Sequence, residues 1–310
     1  MLGVFDSGFG GLTVLRAILK ALPDLDILYL GDSARTPYGN RSREIVTQYT
    51  KECCDALFSY GCSLIVLACN TASAETLREL QQQWLPALRV STKHPFGLEL
   101  RAERQAPNSK QFPIPPSASS SGPKGNSQFP IPRNILGVVR PLAEEAAALT
   151  KTNRIAVVGT RSTIESGTYI EELKKLKPEI AVIQQACPLL VPLVEEGYER
   201  KPETRKILRT YLAPVKSANP DVLILGCTHY EALRHLFEQN MGRKCKVLDS
   251  PLIVAEKLKK YLERHPEYAS HLSHGGKVQF LTTGDPKRFK EVGERFYGGK
   301  MGEVKRVMIG

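Results

Sequence analysis

The chain has 310 residues, of which 42% are hydrophobic and 24% are charged, so it can form one large or two ordinary globular domains. The formal net charge is +11, but residues 89–133 carry five of those charges, and no basic helix with interleaved aromatic residues accompanies them. We therefore expect no nucleic-acid partner. No apolar run reaches the roughly 20 residues of a membrane span. Nor does a basic segment precede the first apolar run, so we expect a cytoplasmic protein without membrane contact.

Cysteine usage argues against disulfide and metal sites. The chain has seven cysteines, an odd number, and no two of them are spaced as C-x-x-C. Secreted disulfide frameworks use even numbers of cysteines, and structural zinc sites use paired spacings. The sequence therefore predicts reduced thiols and no metal site.

The first part of the chain alternates predicted strands and helices, with glycine-rich or polar turns after the strands. The predicted elements are a strand over 2–5, a helix over 12–22, a strand over 26–30, a helix over 42–60, a strand over 64–68 and a helix that runs to 83. This order implies a parallel sheet with helices on both faces.

Residues 89–133 break this alternation. Residues 107–132 contain seven prolines and six serines, and the sequence QFPIP occurs twice, at 111–115 and at 128–132. Such a composition buries too little apolar surface to offset its ordering entropy. We predict a disordered insertion between two halves of the protein, either a tolerated surface insertion or a short peptide motif for a partner.

The second half repeats the organisation of the first. Its predicted elements are a helix over 142–151, a strand over 154–158, a strand that ends at Cys227, a helix over 252–263, a strand over 278–283 and a final helix. The last three elements are expected to pack back on the first half. We predict two α/β domains, residues 1–88 with 252–310 and residues 134–251, joined by the insertion.

Two apolar runs end in a cysteine that is followed by small polar residues. One run leads to Cys69, Asn70 and Thr71, and the other leads to Cys227 and Thr228. Ligands of α/β sheets bind at the carboxyl ends of the strands, and a helix that starts there favours a thiolate. The two cysteines could therefore act as bases that face one cleft, although a strand cysteine is often only a small buried hydrophobe. The other five cysteines lack this context and are expected to be structural.

Asp6 and His229 lie beside these two positions. His229 follows Cys227 by two residues, and an imidazole can accept or donate a proton near neutral pH. It could relay the proton of that thiol, or only form a hydrogen bond at a helix start. Asp6 ends the first strand and could serve Cys69 in the same way, could cap the next helix, or could do both.

Two other motifs resemble known functional patterns but lack residues that those patterns require. The third glycine of a dinucleotide-binding G-x-G-x-x-G pattern would fall on Thr13. The serine turn at Ser33 resembles that of a hydrolase, but no aspartate in the chain has a histidine three residues later. We therefore expect neither a dinucleotide cofactor nor a serine hydrolase.

Six segments resemble the glutamate racemase family, within the aspartate/glutamate racemase superfamily, and they extend over nearly the whole chain outside 89–133. The matching segments are 3–14 (GVFDSGFGGLTV), 37–39 (PYG), 68–74 (ACNTASA), 187–189 (CPL), 194–197 (VEEG) and 226–230 (GCTHY). The resemblance implies two similar parallel-sheet α/β domains in a pseudo-twofold arrangement, with the active site in the cleft between them. It also implies a racemase that interconverts L- and D-glutamate for peptidoglycan synthesis and needs no cofactor.

By the same resemblance, Cys69 and Cys227 would be the two bases on opposite faces of Cα, assisted by Asp6 and His229. The resemblance further implies glutamate as the small-molecule partner and allows a homodimer. The implied substrate contacts are Asp6, Ser7, Tyr38, Gly39, Asn70, Thr71, Thr228 and His229, with Thr160 and Thr163 as further candidates.

The chain also departs from the family pattern. Arg140 stands where the family has glutamate, and Glu231 stands where proline is usual. Three alternatives remain open at this point. They are a racemase of another amino acid such as aspartate, a non-catalytic binding protein with the same fold, and a redox or metal protein with a Cys69–Cys227 disulfide.

Overall fold

The computed structural model describes residues 1–90 and 132–309. The strands, in chain order, are β1 (Leu2–Asp6), β2 (Ile27–Gly31), β3 (Leu64–Leu67), β4 (Asn134–Gly137), β5 (Arg154–Gly159), β6 (Ala181–Ala186), β7 (Val222–Gly226), β8 (Lys246–Val247), β9 (Val278–Thr282) and β10 (Val304–Arg306). The helices are α1 (Leu12–Ala21), α2 (Arg43–Ser59), α3 (Asn70–Glu79), α4 (Leu85–Val90), α5 (Val139–Leu149), α6 (Arg161–Glu165), α7 (Thr168–Leu176), α8 (Leu190–Glu195), α9 (Pro202–Ser217), α10 (Arg234–Met241), α11 (Ser250–Arg264), α12 (Pro266–Ala269) and α13 (Pro286–Tyr297). The predicted insertion 89–133 has its main part, 91–131, outside the described residues.

The strands form two separate parallel sheets. The first sheet has six strands in the order β10-β9-β2-β1-β3-β4, and the second has four in the order β6-β5-β7-β8. Every described pair of neighbouring strands in the two sheets is parallel. The central strands are fully buried, as expected of parallel sheets with helices on both faces. The predicted fold class, two parallel-sheet α/β units, is confirmed.

Each sheet has one point at which the strand order reverses. From β1 the chain crosses to β2 on one side and then to β3 on the other, and β5, β6 and β7 repeat that arrangement. The carboxyl ends of the two strands at such a point leave a crevice between them. These crevices are flanked by Asp6 and Cys69 in the first sheet and by Thr160 and Cys227 in the second.

Helix α11 joins the two sheets. It follows β8 of the second sheet and leads to β9, which pairs with β2 in the first sheet. Its buried Val254 and Leu258 belong to the same hydrophobic cluster as Leu12 and Leu15 of α1. Complete burial of each such leucine stabilises the fold by about 2 kcal/mol, so α11 anchors the second half to the first.

The observed elements differ from the sequence-based expectations at several points, including the start of α5, the sheet that β4 joins and the presence of β10. Helix α5 begins at Val139, three residues early, because Pro141 falls in the first turn, where the missing N–H does not matter. Strand β4 pairs with β3 in the first sheet, whereas the predicted boundary at 134 assigned it to the second half. Strand β10 was not predicted, because three residues at a sheet edge carry too short an apolar pattern.

Among residues 1–90 and 132–309, none of the helices combines the length and the apolar character that a bilayer crossing requires.

Candidate active site

Both cysteines lie where buried strands end. Cys69 follows β3 and caps α3, and its Sγ accepts a hydrogen bond from the Ala72 amide at 3.5 Å. Cys227 follows β7 and precedes a 3-10 helix, Thr228–Leu233. The two residues are only 5% and 7% exposed. A charge on Cys69 would raise the pKa of the Cys227 thiol, so the two sulfur atoms share one electrostatic environment.

Both thiols are harder to ionise than a free cysteine. Burial, reinforced by the negative charge of Asp6, raises the pKa of Cys69 to about 11. Burial also raises the pKa of Cys227 well above its usual range, while the amide N–H of His229 opposes that shift. In the unliganded protein both groups are therefore neutral thiols at pH 7. A thiolate formed here would be a strong base, and the second thiol would be a ready proton donor.

Asp6 lies at the junction of the two halves. Its side chain is fully buried, and Oδ2 accepts a hydrogen bond from the Gly8 amide at 3.0 Å. Oδ1 accepts a second hydrogen bond, of 3.4 Å, from the hydroxyl of Thr228. Burial raises the pKa of Asp6, and the charge of His229 opposes that shift. Gly11 is the N-cap residue of α1, and its amide, like that of Gly8, donates to the Asp6 carboxylate, so Asp6 also stabilises the start of this helix.

His229 pairs with a residue to which the sequence reasoning gave no role. Its Nε2 lies 3.0 Å from Oε1 of Glu195, the last residue of α8. The imidazole is 3% exposed, and its ring packs edge-on against Phe296 with the centroids 5.3 Å apart. The segment 194–197 was noted only as a family match. No local pattern connects Glu195 to a histidine 34 residues away, so only the fold reveals this pair.

A group of three threonine hydroxyls spans the two halves. Thr71 Oγ1 lies 3.0 Å from Thr160 Oγ1 and 3.1 Å from Thr163 Oγ1, and the last two are 2.9 Å apart. All three side chains are buried. A Cβ at Gly39 would lie 2.5 Å from the Cβ of Thr160, so only glycine permits this approach. These hydroxyls offer several donors that could bind an anionic group.

Of the remaining residues predicted to contact the substrate, some lie beside Cys69 and others direct their side chains into the core. Ser7 Oγ lies 3.3 Å from Cys69 Sγ, and Asn70 Oδ1 accepts a 2.6 Å hydrogen bond from the Tyr169 hydroxyl. The Tyr38 side chain is 1% exposed, and its hydroxyl donates to Asp32. That hydroxyl is therefore directed into the core, which leaves the backbone of Tyr38 and Gly39 as the part near Thr160.

The two departures from the family pattern lie outside the cysteine pair. Arg140 forms ion pairs with Glu144 at 2.9 Å and with Glu172 at 3.0 Å, on a half-exposed surface. The side chain of Glu231 is largely buried beside the start of α11, where its Oε1 accepts from the Ser250 amide at 3.2 Å. Burial raises the pKa of Glu231 to about 7.

A cavity of about 530 Å³ lies between α1, α11 and α13. Its wall includes Thr13, Arg16, Glu231 and Phe296, but neither cysteine. All seven cysteines lie within the described ranges and are free thiols. No group of three or more histidine, cysteine or acidic side chains suited to a metal ion occurs in residues 1–90 and 132–309.

Residues 127–258 match the family model for Asp/Glu/Hydantoin racemase. Together with the two parallel sheets and the paired thiols, this match defines the class of protein: an isomerase of the amino-acid racemase type. A glutamate racemase from Geobacter metallireducens is 37% identical over 308 residues, covering 99% of this chain and 96% of the relative. The chain belongs to the glutamate racemase family, and the resemblance seen in its sequence is confirmed.

Solved structures support the same assignment. The crystal structure of a glutamate racemase isoform from Bacillus anthracis superposes with a TM-score of 0.77 at 28% identity, covering 100% of this chain and 97% of that one. A glutamate racemase from Francisella tularensis, solved in complex with D-glutamate, gives a TM-score of 0.76 at 25% identity, covering 100% and 97% of the two chains.

Proposed function

We propose that this protein interconverts L- and D-glutamate by a cofactor-independent two-base mechanism and supplies D-glutamate for peptidoglycan synthesis in the cytoplasm. The observation that carries the proposal is the position of Cys69 and Cys227, each at the carboxyl end of a buried strand beside the reversal point of its own sheet. Family membership supports glutamate as the substrate. A homodimer remains a prediction that sedimentation velocity can test.

In this mechanism one cysteine, as thiolate, takes the α-proton of glutamate, and the electron pair stays on Cα as a carbanion. The other cysteine, as thiol, gives its proton to the opposite face of Cα and becomes a thiolate. After the transfer the first cysteine is a thiol and the second is a thiolate. This is the protonation state from which the reverse reaction begins. Burial, which raises the pKa of both thiols, makes each thiolate a stronger base and keeps the partner protonated.

Asp6 and His229 assist their respective cysteines in the proposal. The Asp6 carboxylate is close enough to raise the pKa of both thiols and can exchange a proton with the Cys69 side. The imidazole of His229, held by Glu195, serves the Cys227 side.

The substrate is held by groups that surround the same cleft. We assign its binding to Asp6, Ser7, Asn70, Thr71, Thr228, His229 and the backbone of Tyr38 and Gly39, with Thr160 and Thr163 in support. Hydroxyl and amide donors of this kind suit the two carboxylates of glutamate. The N-terminal end of α3, at Cys69 and Asn70, adds a favourable dipole for an anion.

The proposal is tested by incubating L-glutamate with the protein in D₂O and reading both the handedness and the Cα label of the products. We expect D-glutamate that carries deuterium, with little label in the remaining L-glutamate at early times. Equal early labelling of both enantiomers would indicate a single base. Aspartate is assayed in parallel, since its faster turnover would point to the other amino acid, and an absence of label in every acid would indicate a non-catalytic binding protein.

A further inference from the structure

Helix α13 contacts the end of α8, which carries the partner of His229. Nη2 of Arg295, near the end of α13, donates a hydrogen bond of 2.7 Å to the backbone carbonyl of Glu195. Nη1 of the same side chain lies 3.7 Å from Oε1 of Glu199. Helix α13 lies between β9 and β10 of the first sheet, whereas Glu195 follows strands of the second sheet. The Arg295 contact therefore crosses between the two halves.

The turn after α8 leaves room for this arginine. Gly197, two residues beyond the end of α8, is left-handed, with φ +76°, and its amide donates to the Val194 carbonyl at 3.1 Å. The Tyr198 amide donates to the Leu193 carbonyl at 2.8 Å, which completes a Schellman turn. A Cβ at Gly197 would lie 2.7 Å from Nη1 of Arg295. Glycine thus suits the positive φ of the turn, and its lack of a Cβ leaves room for the guanidinium.

The residue after Arg295 contacts the other member of the pair. Phe296 packs against the imidazole of His229, and Phe9 stacks on Phe296 with ring centroids 6.5 Å apart. Two successive residues of α13 therefore contact the two partners of the hydrogen bond between His229 and Glu195. Arg295 holds the backbone of Glu195, and Phe296 holds the ring of His229.

We propose that Arg295 is a positioning residue for the proton transfer at Cys227. By fixing the Glu195 carbonyl it keeps the Glu195 carboxylate within 3.0 Å of His229 Nε2, and so keeps the imidazole oriented. A guanidinium that donates to a carbonyl is a charge-assisted hydrogen bond with defined direction. The contact with Glu199, at 3.7 Å, is 1.0 Å longer than the 2.7 Å hydrogen bond to Glu195, and an exposed ion pair of that kind contributes little. The inference rests on the proposed role of His229.

The test compares Arg295→Met, which removes the donors but keeps the length, with Arg295→Lys, which keeps the charge. Arg288→Met is the matched control, because Arg288 lies on the same helix and forms only an exposed contact of 3.7 Å with Glu196. We expect Arg295→Met to lower kcat roughly tenfold while KM for glutamate changes less than twofold. We expect Arg295→Lys to recover part of that loss and Arg288→Met to match the wild type.

The second readout does not depend on activity. The ¹⁵N resonances of His229, assigned by their loss in His229→Asn, report whether Nε2 keeps its carboxylate partner. We expect them to shift in Arg295→Met, partly to return in Arg295→Lys, and to stay unchanged in Arg288→Met. Unchanged His229 resonances in Arg295→Met, or shifted resonances with unchanged kcat, would overturn the inference. A wild-type protein that fails to racemise glutamate would refute the proposed function, while these resonances would still test the positioning of His229.

Discussion

Thr228 and Asp6 are 222 residues apart in the sequence, yet the threonine hydroxyl donates to the buried carboxylate at 3.4 Å. This contact joins the last residue of β1 in the first sheet to the 3-10 helix that follows β7 in the second. It also places one carboxylate where its charge affects both Cys69 and Cys227. The Asp6–Thr228 contact therefore holds the carboxyl ends of β1 and β7 close together.

Asp6→Asn separates two effects of the carboxylate. Its negative charge raises the pKa of Cys69, so its removal makes that thiol easier to ionise. If Asp6 also exchanges a proton with the Cys69 side, the variant should nevertheless lose about 10²–10⁴-fold in kcat. Steady-state rates in both directions are the measurement, and Asp24→Asn, at an exposed position, is the control. An increase in rate would show that Asp6 acts only through its charge.

The raised pKa of Cys69 predicts a pH-dependent rate. With a pKa of about 11, the fraction of thiolate in the free protein rises about tenfold for each pH unit through the neutral range. We therefore expect kcat/KM for glutamate to increase with pH between 7 and 9. The profile is measured in buffers of constant ionic strength, with Cys245→Ala as a variant that should keep the same slope. A flat profile would show that substrate binding delivers the thiolate by another route.

Tyr38→Phe tests how the loop at Gly39 is held. The change removes the donor to Asp32, which keeps Arg35 at 2.7 Å and the Thr283 hydroxyl at 2.7 Å. We expect a loss of about 1 kcal/mol in the free energy of unfolding and a higher KM with a nearly unchanged kcat. Tyr49→Phe, whose ring lies 5.8 Å from that of Tyr38, is the matched control. A fall in kcat at constant KM would instead place the Tyr38 hydroxyl in the chemistry.

The raised pKa of Glu231 predicts a free energy of unfolding that depends on pH. Its ordinary pKa of 4.5 rises to about 7 in the fold because of burial, while Arg234 opposes this shift and Asp249 adds to it. The folded state therefore favours the protonated form, and this contribution is complete below pH 4.5 and is lost as the pH rises to 7. The full effect is on the order of 3 kcal/mol.

Glu231→Gln should remove this dependence. Urea denaturation at pH 5 and pH 8 gives the change in the free energy of unfolding between the two pH values. This change is then compared between the wild type and the variant. Glu238→Gln, which affects an exposed carboxylate 3.0 Å from the same Arg234, is the control. An identical loss of stability with pH in Glu231→Gln and the wild type would contradict the prediction.

The sequence predicted those parts of the molecule that depend on local pattern. Cys69 and Cys227 could be placed at strand ends because an apolar run followed by small polar residues is a local signal. Glu195 and Arg295 could not be found in this way, because their roles depend on where α8 and α13 meet in the fold. The family resemblance implies Tyr38 as a substrate contact, but a sequence cannot show that its hydroxyl donates to Asp32.

The central claim is that two thiols act on opposite faces of one carbon atom, and single cysteine variants test it most directly. Cys69→Ser and Cys227→Ser are each incubated with L- and with D-glutamate in D₂O, and handedness and Cα deuterium are followed by chiral chromatography with mass detection. We predict that neither variant racemises glutamate, and that any remaining exchange is confined to one enantiomer, opposite in the two variants. Full turnover in either variant, or exchange of the same enantiomer in both, would contradict the two-base mechanism.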